Sequence, residues 1–282
     1  MSDIEAPSTT PAELLPRYEH PPVSEVVMSV QFDPITALTP VHLGQWWTGE
    51  RRQRYPHSEE RPPIEPAREE FGPPTGATFS FQLSAAPSPA IWFFGQGRDE
   101  LLQVQRDRFT RNWTRSSSEV PYPSYDALRP RFASDLQEFS EFVQGAGLGQ
   151  LAYNQAELTY INPIRPNDAW ARHSDVAGML APWSGDYSDG FLGDPEDLQL
   201  ALRYPFDDEH GQRCGRLLVS LKPVYELVGQ PVYLLTLTAR GRPPGPGVEG
   251  TLRFLDVAHR WIVKGFTTLT TEPMHEAWGR TQ

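Results

Sequence analysis

The chain holds a single cysteine, Cys214, among 282 residues, which excludes an intramolecular disulfide and a Cys-rich zinc site. No apolar run approaches the roughly 18 residues of a membrane span, and the N-terminus lacks the basic-then-apolar pattern of a signal peptide. Positive charge is also scarce. The formal net charge is −11, and no Lys/Arg run is long enough to bind a phosphate backbone by counterion release, which argues against non-specific nucleic-acid binding. The glycine-rich phosphate loops GxGxxG and GxxxxGK[ST] are missing, as is the nucleophile elbow GxSxG. These absences together lead to the expectation of a soluble cytoplasmic protein with no cofactor and no membrane association.

What is present is material for a core: 8 Trp, 10 Tyr and 14 Phe, with 29 Pro and 22 Gly to make long connections. Residues 1–20 are polar and Pro-rich and read as a mobile arm. The alternation of Val26, Met28, Val30 and Phe32 predicts a half-buried strand, and Thr39 with Pro40 predicts the start of a helix that runs to about Tyr55. Residues 56–76 carry six Pro and five Glu, which predicts a long exposed acidic loop with no packed element. Strands are predicted at Ala77–Leu83, Ala90–Phe94 and Glu100–Trp113. A helix follows over Tyr125–Val143, in which Phe132, Leu136, Phe139 and Val143 share one face and Pro130 marks a start or a kink.

From Leu151 the pattern begins again. A strand to Ile161 stops at Asn162-Pro163, a weak helical segment lies within Asn167–Ala181, and strands follow at Leu198–Phe206, Arg213–Lys222 and Val232–Arg240. The run from Val248 to Trp278 reads as one long amphipathic helix, with Leu255, His259, Ile262 and Phe266 on its stripe, and a short second helix. The fold class is therefore α+β: an antiparallel sheet with helices on one face, organised as halves 21–149 and 150–282 that form one unit. Strand, helix, three strands, helix occurs in both halves, which raises an internal duplication. Against it, the strand alternations fall out of phase when the two halves are aligned on Pro34 and Pro163. A duplicated sheet of this kind resembles in topology the saddle of the TATA-box-binding protein and related helix-grip folds.

Three stretches carry a family resemblance: PPVSEVVMSVQF near the start, RDRFTRNW with the following YPSYDALRPRF, and FLDVAHRWIVKGFTTLTTEPMHEAW at the end. They resemble a sporadically distributed family of uncharacterised bacterial proteins. The resemblance spans nearly the whole chain and implies one functional unit. It transfers no catalytic residue, and its patchy occurrence suggests a component of a bacterial defence or toxin-control operon.

Two constellations carry chemistry. Arg106, Arg108 and Arg111 with Phe109 and Trp113 form one local basic and aromatic stripe, suited to an anion, a nucleotide or a partner protein; an Arg-rich strand paired with the excess carboxylates is the plainer reading. Asp256/His259 and Glu272/His275 have the carboxylate-x-x-His spacing of dimetal bundles, but the two further carboxylates such a site needs are not evident, so no metal ligand is assigned. Asp256 is better placed to pair with Arg260 one turn on. The leading expectation is a non-enzymatic binding or assembly protein whose sheet face, through Arg106, Arg108, Phe109, Arg111 and Trp113, contacts another protein or a small ligand. On that expectation Arg108→Ala and Arg111→Ala weaken capture and leave thermal stability nearly unchanged. The alternative is an enzyme with a site near His259 and His275.

Overall fold

The computed structural model describes residues 14–71, 88–117, 119–186, 190–208, 210–227 and 229–282. At its centre are two strands, β1 (Glu25–Phe32) and β6 (Tyr153–Ile164), paired antiparallel. In β1 the alternation works as the sequence indicates: Val26, Met28, Val30 and Phe32 enter the core, and Ser29 and Gln31 turn to the opposite face. Beyond β1 lie β5 (Arg108–Thr114), β4 (Glu100–Gln105), β3 (Ala90–Phe94) and β2 (His57–Arg61). Beyond β6 lie β9 (Pro231–Gly241), β8 (Arg213–Tyr225) and β7 (Leu200–Asp207). All the pairings are antiparallel, giving a nine-stranded sheet. Its edges resist further pairing, since β2 is the charged run HSEER and β7 carries Pro205.

Helices cover one face. α1 (Pro40–Trp46) sends Trp46 between Phe93, Phe109 and Phe139. α3 (Tyr125–Gly145), which follows the short α2 (Gly49–Arg54), lays Phe132 and Phe139 on Phe109. α4 (Gly247–Leu269) crosses β6, β8 and β9, and comes close enough at Gly265 that an added Cβ would lie 2.8 Å from Leu217 Cδ2. A short α5 (Glu272–Ala277) closes the chain and buries Met274 and His275. No helix among the described residues is long and apolar enough to cross a membrane.

The architecture is the expected α+β sheet with helices on one face, and the differences are local. The helix expected to run from Thr39 to Tyr55 breaks in two at Trp47 and Thr48, where Thr48 is extended (φ −127°, ψ 171°), and Gly49 opens α2 at φ 58°. The strand expected over Glu100–Trp113 is a hairpin, β4 and β5, turning at Arg106-Asp107. Neither turn residue has positive φ, so no Gly or Asn marks the reversal. β6 continues through Asn162-Pro163 instead of stopping there. The Ile161 carbonyl bonds to Ser24 of the β1 side, so by alternation Pro163 turns its missing N–H to that same side, beyond the end of β1. The weak helical segment contains a 3-10 turn, His173–Gly178.

The predicted strand Ala77–Leu83 and most of the expected arm lie outside the described residues. The rest of the arm is packed: Tyr18 bridges Arg280, and Glu19 and His20 donate to the carbonyls of Gly279 and Trp278. The strand order also places the first strand of each half, β1 and β6, side by side, with the last strand of each half, β5 and β9, flanking them. That order does not by itself establish a duplication. Phe139 is fully buried among Phe32, Trp46 and Phe109. Phe139→Ala is expected to lower stability by about 3–5 kcal/mol, read as a lower denaturant midpoint at unchanged slope.

Candidate functional site

The hairpin separates the predicted stripe. Within β5 the alternation sends Phe109, Arg111 and Trp113 to the helix face, and Arg108, Thr110 and Asn112 to the face opposite. Phe109 stacks on Phe139 with ring centroids 5.3 Å apart, and Trp113 packs on Tyr122 at 5.7 Å. These two aromatics are core, not contact surface. Arg111 is 4% exposed and bonds Asp135, the Tyr55 hydroxyl and Glu100, the last at 2.9 Å. Arg54 adds a bond to Asp135 at 3.0 Å, so the network ties α2, α3, β4 and β5 together beneath the helices. Arg106 sits in the turn and donates its Nε to the Leu38 carbonyl at 3.1 Å. Of the five residues, Arg108 alone lies on the face away from the helices. A shared contact stripe is therefore corrected, because strand alternation and the intervening turn disperse its members.

That second face is covered in a way the composition does not suggest. Within the loop expected over 56–76 without a packed element, His57–Arg61 form the edge strand β2 and pair with β3, which corrects that expectation. Residues 62–71, most of them exposed as expected, run across the strands as a strap. The Gln105 amide of β4 bridges the two peptide groups that flank Ile64: Ile64 N–H donates to its Oε1, and its Nε2 donates to the Ile64 carbonyl, both at 2.9 Å. Arg108 of β5 donates to the Glu65 carbonyl at 3.1 Å. Gln31 of β1 repeats the double pairing with Ala67, at 2.7 and 3.0 Å. Gln155 of β6 accepts from Glu69 N–H at 3.3 Å. The Glu69 carboxylate then reaches Arg240 of β9 at 3.5 Å and Arg216 of β8, and Arg216 also donates to the Glu70 carbonyl at 3.2 Å and lies over the Phe71 ring.

The contacts follow the sheet order from β4 to β8. A proline-containing chain rises about 3.1 Å per residue, so the three steps from Ile64 to Ala67 span about 9 Å. Strands are spaced about 4.8 Å, and Gln105 and Gln31 stand two strands apart. The rise of the strap thus matches the pitch of the sheet, and one glutamine meets the N–H and C=O of one strap residue at each match. Burial lowers the Arg108 pKa from its ordinary value, with Glu157 and Asp107 opposing, and its Nε is buried with no partner among the described residues. The readable signal was Pro62, Pro63 and Pro66 at extended-chain spacing. The glutamines that receive the strap are single residues on separate strands and carry no pattern.

The two carboxylate-x-x-His pairs do not converge. Asp256 pairs with Arg129 of α3 at 2.6 Å, not with Arg260, and accepts the Tyr125 hydroxyl at 2.8 Å. His259 stacks on Tyr125 with centroids 4.0 Å apart, and its Nδ1 lies 3.1 Å from the Tyr160 hydroxyl, which in turn meets the Tyr122 hydroxyl at 2.7 Å. His275 is bonded to Thr270 at 2.9 Å, with Glu272 on its other side at 3.3 Å. Among the described residues no three His, Cys, Asp or Glu side chains gather to hold a metal ion. Desolvation pushes His259 down to about 4, against weaker opposing pulls from Asp126 and Asp256, so its imidazole is neutral near pH 7. Compared with known proteins, the chain matches no family model, no curated protein and no solved structure.

Two measurements follow from this geometry. Arg111→Ala leaves the buried Asp135 carboxylate without its main partner and is expected to cost about 3–5 kcal/mol, contrary to the near-neutral effect expected of a surface arginine; denaturant titration reads it directly. The lowered pKa of His259 means that the unfolded chain takes up its proton first as pH falls. Its contribution is complete above an unfolded value of about 6.5 and is lost towards pH 4, about 3 kcal/mol over that window. His259→Gln is therefore expected to flatten the fall in stability between pH 7 and 4.5 relative to the native chain.

Proposed function

We propose that the protein is a non-enzymatic binding protein whose sheet face opposite the helices takes an extended, acidic, proline-containing segment of a partner protein. In this reading residues 62–71 act as the resident ligand in cis. The observation that carries it is the pair of double amide contacts from Gln31 and Gln105, which engage peptide groups and make no demand on side-chain identity. Recognition through peptide groups is transferable to another chain of the same shape. Selectivity would come from Arg108 and Arg216, with Arg240, which Glu157 of the same face already pairs, adding less, in a protein with a formal charge of −11. Glu69 is the acidic anchor, and the buried unpaired Arg108 Nε has room in its chemistry for a further acceptor. A cytoplasmic setting belongs to the same reading, in keeping with a single cysteine, Cys214, that is a free thiol.

The test is competition between strap and peptide. A labelled peptide of sequence PPIEPAREEF is expected to bind a Glu69→Ala chain, whose own strap is loosened, at least tenfold more tightly than it binds the native chain, as read by fluorescence anisotropy. Adding Gln31→Ala and Gln105→Ala is expected to abolish that binding while circular dichroism stays native. Equal binding with and without the two glutamines would sink the proposal.

A further inference from the structure

A second site lies on the helix side of the sheet, independent of the strap. Between the N-terminal segment, the start of α3 and the middle of α4 is a cavity of about 830 Å³, within the range that holds a small organic ligand. Its walls are largely aromatic and aliphatic: Tyr122 and Tyr125 from the α3 side, Ile262 and Phe266 from α4, and Leu237 from β9. Such walls favour a flat ring, which packs edge-to-face or offset against them.

Polar side chains share the lining, among them Arg17, His20 and Asn162, and two others are incompletely partnered. Arg115 follows β5 directly; its Nη2 reaches the Pro21 carbonyl at 3.3 Å, but its Nε is buried without a partner, and no carboxylate among the described residues pairs with it. Burial and the like charge of Arg165 lower its pKa from the ordinary value, and among the described residues the guanidinium has no counter-charge bonded to it. At the other end is the hydroxyl relay Tyr122–Tyr160–His259, in which His259 uses Nδ1 and its Nε2 has no partner among the described residues. Four further carboxylates line the cavity. Asp256 is neutralised by Arg129, while Glu19, Glu119 and Asp126 are exposed to water, which screens them.

The spacing of the two ends can be read from the strand register. Trp113, Val26 and Tyr160 lie in one row across β5, β1 and β6, and Arg115 is two residues beyond Trp113. Two strand spacings and the two-residue offset put the Arg115 backbone on the order of 10 Å from that of Tyr160, the strand residue bonded to His259, a scale that suits one aromatic ring with a short acidic arm. We propose that this cavity binds a small hydroxyaryl carboxylate, its carboxylate on the Arg115 guanidinium and its ring hydroxyl on His259 Nε2. A planar guanidinium suits a carboxylate, and a neutral imidazole can exchange a hydrogen bond with a phenol without the cost of burying charge.

The experiment is isothermal titration of the full chain with 4-hydroxyphenylacetate at pH 7.5, with the uncharged 4-hydroxyphenylacetamide as the matched probe. Binding of the acid at one site is expected, with the amide at least tenfold weaker. Arg115→Gln is expected to weaken the acid at least tenfold and leave the amide unchanged, and His259→Leu to weaken both. No binding of the acid, or equal binding of acid and amide to the native chain, overturns the proposal, and that comparison needs no variant to fold. Acid binding that survives Arg115→Gln overturns it as well.

Discussion

Polar groups buried on a sheet face need partners, and this requirement shapes the molecule more than any single contact. The helices of the chain lie on one face of the sheet, where Trp46, Phe132, Phe139 and Phe254 close an apolar core. On the face opposite, Gln31, Gln105, Arg108 and Gln155 are 3–6% exposed and would each lose hydrogen bonds to water if covered by apolar side chains. An extended segment without internal hydrogen bonds answers that need. Its peptide groups are free to pair with the sheet's side chains, and its prolines reduce the ordering entropy it loses.

The same requirement separates the arginines by role. Arg111 is held by Asp135, Glu100 and Tyr55, so its charge is spent within the fold, joining α3 to the hairpin of β4 and β5. Arg108 and Arg216 instead meet backbone carbonyls and the Glu69 carboxylate of the strap, and Arg240 shares Glu69 with its closer partner Glu157 of β6. Arg115 has a carbonyl and no carboxylate. Three environments thus distinguish residues that look alike in the sequence: a closed ion network, a strap-binding face, and a cavity with an unfilled donor.

His259 shows how a helix stripe can carry two meanings at once. Its position among Leu255, Ile262 and Phe266 is that of a core residue, and its stacking on Tyr125 and its neutral ring are what burial there requires. Yet the same burial sets its unengaged nitrogen beside a cavity. Asp256, one turn earlier, is drawn to Arg129 across the gap between α3 and α4, which pins the two helices where that cavity begins.

The sequence by itself determined the α+β class, the helix faces of α3 and α4, the core side of β1 and the α1 start at Thr39-Pro40, because periodicity and capping act within one element and are complete in local order. It did not reveal the turn at Arg106-Asp107, whose conformation needs no glycine, or the passage of β6 through Pro163, which depends on where β1 ends. Nor did it reveal the strap: Pro and Glu describe an exposed loop equally well until Gln31, Gln105 and Gln155, on three separate strands, are brought into one row. Only the tertiary structure decided which side of the sheet each arginine serves. Side-chain direction in a strand follows parity, but which parity faces helices and which faces the strap is set by what packs there.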